Sequence, residues 1–286
     1  MTRPLFSCVI PVKGDRPFFE EALSSLMSQG MGDELEIIVQ DGDCDSRVEE
    51  GSLISRVERV DRVGEERNVR WFRETDAGQS DALNKGFAKA RGEWLFWLNS
   101  DDVLLPGALK KVQQLITHNS QLTTLNWIVG NQMQIDEAGR VVECSVGPGW
   151  HDCLFRHNVP HVYGPSAFFR RELLERVGGL DASLHVCLDW DLWIRFMKAG
   201  ARFSRIDDYL WTLRQWSGSK TQRPHEADEA QRQWDEVARM LAKNDFTVTR
   251  SWRAVLRLWR ALNGNYIKQW RDRCRLRGRK AVECVS

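Results

Sequence analysis

Residues 91–107 read RGEWLFWLNSDDVLLPG. Five apolar or aromatic residues, Trp94 to Leu98, run into a polar step that carries two adjacent carboxylates, Asp101 and Asp102. An unbroken run of this kind reads as a strand buried on both faces, and Pro106 suits the first turn of the helix that follows. Two neighbouring carboxylates repel each other unless they serve as turn and helix-cap residues or share a divalent cation, whose hard oxygen ligands they supply. For the pair taken alone, both readings stand.

The chain on either side repeats the same pattern. LFSCVIPV (5–12) is a buried strand, followed by a loop and by FFEEALSSLMSQG (18–30), where Phe19, Leu23, Leu26 and Met27 share a helical face. LEIIVQD (35–41) is a second strand and ends on Asp41; VRWFRE (69–74) is a third. TDAGQSDALNKGFAKARG (75–92) predicts a helix with Leu83, Phe87 and Ala90 on one side and Gly92 past its end. EWLFWL (93–98) is the fourth strand, and PGALKKVQQLI (106–116) the next helix. Strands alternating with helices predict an α/β fold with a mostly parallel central sheet flanked by helices. Ligands of such sheets bind outside the carboxyl ends of the strands, where Asp41, Asp101 and Asp102 fall. No GxGxxG follows the first strand, which argues against a dinucleotide-binding oxidoreductase.

Composition narrows the class. The chain has 286 residues and a net charge of +1, enough for a full core and without a general attraction to polyanions. Its seven cysteines include no CxxC pair, which argues against a disulfide framework or a structural zinc and fits a reducing cytosol. No stretch reaches the roughly 18 apolar residues that span a bilayer, so the expectation is a cytoplasmic protein, neither secreted nor embedded.

The ordered motifs LEIIVQDGDCDS (35–46) and ETDAGQSDALNKGFAKARGEWLFWLNSDDVLLPGAL (74–109) closely resemble family 2 glycosyltransferases with a GT-A (Rossmann-like) fold, particularly bacterial members acting on polysaccharides. GPSAFFRRELLERVGGLD (164–181) and CLDWDLWIRFMKAG (187–200) extend the resemblance, which runs from about Phe6 to Thr221. It implies a nucleotide-sugar half over about 1–110, an acceptor half over about 111–222, and a helical, basic extension over 223–286. It further implies that Asp41 contacts the nucleotide base, with Pro11 and Lys13 beside the nucleoside. Asp81 and Asn84, three apart on one helix face, would close around the nucleotide, and Asn99 stands where many relatives have the first Asp of a DXD element. Asp101, with Asp102 adjacent, would hold Mg²⁺ or Mn²⁺. Asp189 would be the general base that deprotonates an acceptor hydroxyl, so that the sugar is transferred with inversion.

Other residues of the resemblance divide between site and scaffold. Trp190 and Trp193 are either a sugar-stacking wall or core. Asp191 is a second acceptor-side carboxylate, although its i,i+4 spacing to Arg195 predicts a helix-surface ion pair. Trp216, placed with Trp190 and Asp191 on the acceptor side, occupies the place of a histidine that many relatives carry near the diphosphate, and Leu188 stands in that of a Glu. His151, His157 and His161 receive no catalytic role.

Beyond about residue 222 the resemblance stops. HEADEAQRQWDEVARMLAKND (225–245) predicts a helix packed through Ala230, Trp234, Val237 and Leu241. From Arg250 to Lys280 the chain is dense in arginine, with Trp252, Trp259 and Trp270 interleaved and Asp272 its only acid. Such a stretch lies on an anionic membrane, where a lipid-linked acceptor would be met, or serves as a solvated or partner-binding helix; nucleic acid is disfavoured. The expected partners are a nucleotide-sugar donor, a UDP-sugar favoured, and a glycan or lipid-linked acceptor at the inner face of the membrane. The competing reading is a non-catalytic nucleotide-sugar-fold protein, or one that binds nucleic acid or a partner through its Trp/Arg tail.

Overall fold

The computed structural model describes residues 3–14, 17–42, 68–118, 125–158, 162, 164–219 and 227–285. Cys44 and residues 43–46 of the motif at 35–46 lie outside them, as does His161. Nine strands form one sheet: β1 (Phe6–Val12), β2 (Leu35–Asp41), β3 (Val69–Arg73), β4 (Trp94–Trp97), β5 (Val103–Leu104), β6 (Trp127–Ile135), β7 (Val141–Ser145), β8 (Ala167–Arg170) and β9 (Phe203–Arg214). Their order is β3-β2-β1-β4-β8-β6-β9-β5, with β7 beside β6. Pairing is parallel through β3-β2-β1-β4 and again between β6 and β9. β8 runs antiparallel to both β4 and β6, and β5 antiparallel to β9. The parallel sheet expected from sequence is therefore the portion β3-β2-β1-β4, and the later strands make the whole sheet mixed.

Alternation along the central strands explains why both faces are covered. Cys8, Ile10 and Val12 of β1 and Trp94 and Phe96 of β4 point to one face, under α1 (Phe19–Met27) and the helix Ala108–His118. Val9, Leu95 and Trp97 point to the other, under the helix Gln79–Lys89. We number these helices α1, α2 (Gln79–Lys89) and α3 (Ala108–His118). α2 approaches β1 so closely that a Cβ on Gly86 would lie 2.4 Å from Val9 Cγ1, so glycine there sets the depth of the helix.

Short helices α4 (Asp152–Phe155) and α5 (Arg171–Arg176) precede α6 (Leu188–Lys198). α6 packs on the second face through Leu192, Trp193 and Phe196, all fully buried. Trp193 stacks on Trp97 at 6.0 Å and on Trp127 at 5.0 Å, so it is core and not a sugar wall. Pairs of this kind contribute about 0.5–1.5 kcal/mol each beyond the area they bury.

The extension forms α7 (Ala227–Lys243), α8 (Arg250–Leu262) and α9 (Asn265–Leu276). Its packing corrects the expected face of α7. Trp234 is 66% exposed, while Glu236 and Met240 are buried and Val237 and Leu241 partly so. The buried stripe thus runs 236/237/240/241 and leaves Trp234 outside it. α9 is bolted to the sheet by a buried hydrogen bond from Tyr209 Oη to Asp272 Oδ2 (3.0 Å), and Leu276 and Ala281 fill a third core with Met133 and Val141. The boundary at 222 limits the resemblance, and the fold continues across it. His157 stacks on Trp252 at 4.4 Å and His151 meets Trp259 edge-on, so both serve the packing of α8.

Candidate active site

Because β1, β2, β3 and β4 are parallel, their carboxyl ends open on one edge. Pro11 lies half-buried within β1, and Lys13 follows the strand with its Nζ 3.5 Å from Asp76 Oδ1. Asp41, fully buried at the end of β2, faces Arg73 Nε at 3.7 Å. The next residue is Gly42, where a Cβ would sit 1.7 Å from Asp76 Oδ2. Asp76 Oδ1 also accepts from Gly78 N–H at 3.0 Å, so one carboxylate ties the ends of β1 and β2 to the start of α2. Sequence reasoning left Asp76 without a role; an aspartate two residues before a helix-opening glycine was the available signal.

Asp81 and Asn84 share a face of α2 and do different things. Asp81 Oδ2 accepts from Lys85 Nζ (2.8 Å) and Ala77 N–H (3.0 Å), which hold its carboxyl below the usual range. Asn84 makes a two-way bond with the backbone of Leu180, donating to its carbonyl at 2.8 Å and accepting from its N–H at 2.9 Å. Asn84 therefore clamps the segment after α5 onto α2.

At the end of β4 the three polar residues separate in function. Asn99 accepts from Gln79 Nε2 (2.9 Å) and donates to Asp102 Oδ2 (2.8 Å). Asp102 is fully buried and its other oxygen accepts from Arg214 N–H at 2.9 Å. Burial first, and the charge of Asp101 second, push its carboxyl well above the usual carboxylate range. Both oxygens of Asp102, expected as a second metal ligand, accept hydrogen bonds that join the Asn99 turn to β9. Arg214, also buried, donates from Nε to the Asp101 carbonyl (2.9 Å), pairs with Glu21 and lies 4.3 Å over the Phe18 ring. Asp101 Oδ2 accepts from Trp216 Nε1 at 2.8 Å, and Trp216 rests edge-on against Phe18 at 5.5 Å. Trp216, expected on the acceptor side, thus touches Asp101.

Among the described residues no cluster of three His, Cys, Asp or Glu side chains could hold a cation. A magnesium-type ion is nevertheless commonly held by one or two carboxylates with substrate phosphates and water completing its shell. Asp101, oriented by Trp216 through one oxygen, fits that arrangement. An indole N–H cannot ligate a cation, so Trp216 supplies orientation and no metal donor.

Asp189 opens α6 on the other wall. Its Oδ1 accepts from Trp190 N–H at 2.8 Å, and the backbone of Gly164 adds a further bond. Burial outweighs these bonds and raises its carboxyl to about 6. Gly164 is pressed on Trp97, where a Cβ would come within 2.0 Å of the ring, so Asp189 is tied to the end of the strand that delivers Asn99 and Asp101. The segment before it crosses the start of α2: Ser80 Oγ donates to the Leu184 carbonyl at 2.6 Å. Gly78 adopts φ +137°, and a Cβ there would lie 2.9 Å from His185 Nδ1, so His185 covers the turn that Asp76 holds. His185 escaped sequence reasoning because nothing local marks which turn it covers. Trp190 is half-buried against the second core. Asp191 forms the expected ion pair with Arg195, yet it is fully buried and also accepts from Asn244 Nδ2 at 2.7 Å. It is held by scaffold groups and does not face the cleft as a second base.

Comparison with known proteins places this geometry. Residues 7–178 match the family described as Glycosyl transferase family 2. The O-antigen biosynthesis protein RfbC of Myxococcus xanthus is 29% identical over 232 residues, 80% of this chain and 17% of that protein. A PGL/p-HBAD biosynthesis glycosyltransferase of Mycobacterium tuberculosis is 26% identical over 72% of this chain and 74% of its own length. The chain spans 17% and 32% of the first two relatives it matches. Among solved structures, S. aureus TarS 1-349 in complex with UDP-GlcNAc superposes with a TM-score of 0.61 at 18% identity, covering 83% of this chain and 65% of that one. The mannosyltransferase PcManGT from Pyrobaculum calidifontis, in complex with GDP-Man and Mn²⁺, gives 0.54 at 17% identity, covering 91% and 81%. These structural likenesses show the fold.

Proposed function

The chain belongs to glycosyl transferase family 2, and on that premise we propose that it moves a sugar from a nucleotide-diphosphate sugar, a UDP-sugar favoured, to a hydroxyl of a glycan or lipid-linked acceptor, with inversion. The observation that carries the reading is the pairing of walls. A carboxyl raised to about 6 stands at the head of α6, tied through Gly164 and Trp97 to the strand end that presents Asp101. A base of that pKa is ionised at neutral pH and still able to accept a proton. The ligands bound in the two structurally similar proteins, UDP-GlcNAc and GDP-Man with Mn²⁺, support a nucleotide-sugar donor.

In this reading Pro11, Lys13 and Asp41 receive the nucleoside, and the α2 amino end with Asp81 receives the donor's polar groups. Lys13 and the N–H groups opening α2 favour the anionic diphosphate. Asn99 holds Gln79 and Asp102 and so fixes the turn from which Asp101 projects. Asp101 would hold Mg²⁺ or Mn²⁺, which supplies charge neutralisation for the departing diphosphate. Asp189 takes the proton from the acceptor hydroxyl as that oxygen attacks the anomeric carbon opposite the leaving diphosphate. Trp190 and Trp216 line the two walls. The test is release of nucleoside diphosphate from UDP-GlcNAc and GDP-mannose, with the anomeric configuration of the sugar product read by proton NMR. Inverted product is expected; retained configuration removes Asp189 from the role of base.

We further propose a peripheral membrane contact through 250–280. No helix among the described residues is long and apolar enough to cross a membrane. On α8 and α9, Leu258, Leu262, Ile267 and Trp270 are between 61% and 78% exposed, interleaved with exposed Arg253, Arg257 and Arg271. Near an anionic surface each such arginine contributes about 1 kcal/mol. Deleting the tail would open the core beneath Leu276, so surface variants test the contact more cleanly. Leu258→Ser with Trp270→Ser is expected to weaken binding to phosphatidylglycerol-containing vesicles several-fold without changing the far-UV circular dichroism. Equal binding by both proteins removes the membrane from this reading.

A further inference from the structure

α7 lies outside the residues that match the family, 7–178, yet it grips the segment that carries Asp189 on both sides. Glu236, 6% exposed, accepts through Oε1 from three successive backbone N–H groups, His185 (3.0 Å), Val186 (2.7 Å) and Cys187 (3.2 Å). His185 and Val186 lie in the turn that leads into α6, and Cys187 is its N-cap residue, whose own side chain makes no cap hydrogen bond. Leu188, Leu192 and Trp193 anchor α6 in the second core, and the turn that Glu236 holds fixes how the chain enters the helix just ahead of Asp189. On the carboxyl side Asn244, just past α7, donates to Asp191 Oδ1 at 2.7 Å; farther back on the amino side Lys243 pairs with Asp181. Burial alone would raise the Glu236 carboxyl, but the three N–H bonds outweigh it and hold it below its ordinary range.

We propose that Glu236 is a positioning residue for Asp189: its carboxylate fixes the 185–187 turn from α7, so that the extension takes part in completing the site. This rests on the reading of Asp189 as base. The turn is held from the donor side by Ser80 at Leu184, and Glu236 supplies the opposing hold. With that hold gone, Asp189 keeps its helix and loses its fixed distance to the acceptor oxygen, while the nucleotide contacts on β1, β2 and α2 are untouched.

The test compares the natural chain with Glu236→Ala, Glu236→Gln and each of these combined with Asp189→Asn, measuring nucleoside diphosphate release from UDP-GlcNAc or GDP-mannose with Mn²⁺. Glu236→Ala is expected to lower kcat on the order of 10-fold to 100-fold, the size of a misplacement near 1 Å, with KM for the donor changed less than about twofold. Glu236→Gln, whose amide oxygen still accepts from the three N–H groups, restores most of the loss. In the Asp189→Asn background the alanine substitution adds no further loss, because the two residues act as one unit. Natural kcat in Glu236→Ala, or losses that multiply in the double variant, overturns the proposal while Asp189 remains the base. Natural turnover by Asp189→Asn overturns both readings together. Should the alanine variant melt before the assay temperature, Glu236→Asp, shorter by one methylene and still charged, carries the same comparison.

Discussion

Asp189→Asn is expected to reduce turnover by a factor on the order of 10² to 10⁴, the range that a lost general base costs, while donor affinity stays unchanged. Asparagine preserves the shape and can still accept from Trp190 N–H, so the helix start survives and the proton acceptor does not. The natural protein should show kcat/KM falling as pH drops through about 6, and the variant's residual rate should lack that limb. Stability moves in the opposite sense. Asp189 holds its proton more tightly folded, at about 6, than at the ordinary 3.8, so the stability it contributes is full below 3.8 and lost as pH rises through about 6. At pH 8 the natural chain carries that loss and Asp189→Asn does not. Thermal melting at pH 8 should therefore place the inactive variant a few degrees above the natural protein, with the gap closing near pH 4. A variant that is inactive and also less stable at pH 8 would mean that Asp189 is structural.

Asp101→Asn should remove the metal-dependent part of donor binding. One carboxylate oxygen is oriented by Trp216, and the carbonyl of the same residue is fixed by Arg214, so the backbone of the substituted residue keeps its place. Calorimetry of UDP-GlcNAc or GDP-mannose with and without Mn²⁺ is expected to show tighter binding with the ion for the natural chain, and a loss of about 10-fold to 100-fold, with metal dependence abolished, for the variant. Losing one first-sphere ligand or its support costs on that order. Trp216→Phe, which deletes only the orienting N–H, should fall between the two. Binding indifferent to Mn²⁺ and to Asp101 would reduce both aspartates to turn residues.

The amino-terminal half of the sheet was legible because its central strands are buried on both faces and written as apolar runs; β1, β2 and β4 lie within the stretches 5–12, 35–41 and 93–98. The later strands were not. β6 carries Asn131, Gln132 and Gln134, and β9 carries Arg205, Asp207 and Asp208, so neither presents an apolar run, and their pairing partners lie 76 to 79 residues apart. β5 is two residues long and exists because β9 pairs with it. The same distinction holds within the site. The Asp191–Arg195 pair followed from spacing, whereas its burial under Asn244 is a contact over 53 residues. The tie from Asp102 to Arg214 was hidden because the two sit 112 residues apart. A helix face predicted from four apolar positions placed Trp234 inward, but the packing chose Glu236 and Met240, since three backbone donors needed an acceptor there.

The bonds from Arg214 to Asp101 and Asp102 also order events in time. A ribosome delivers the chain from its amino end, and the first four strands have one another to pair with long before β9 exists. The turn that presents Asp101 closes only when the last residue of the last strand arrives and threads its side chain beneath Phe18. A half-made chain can thus bury much of its core while that turn is still open. The fixing of Asp101 becomes a late checkpoint, reached after the sheet has closed from its other end.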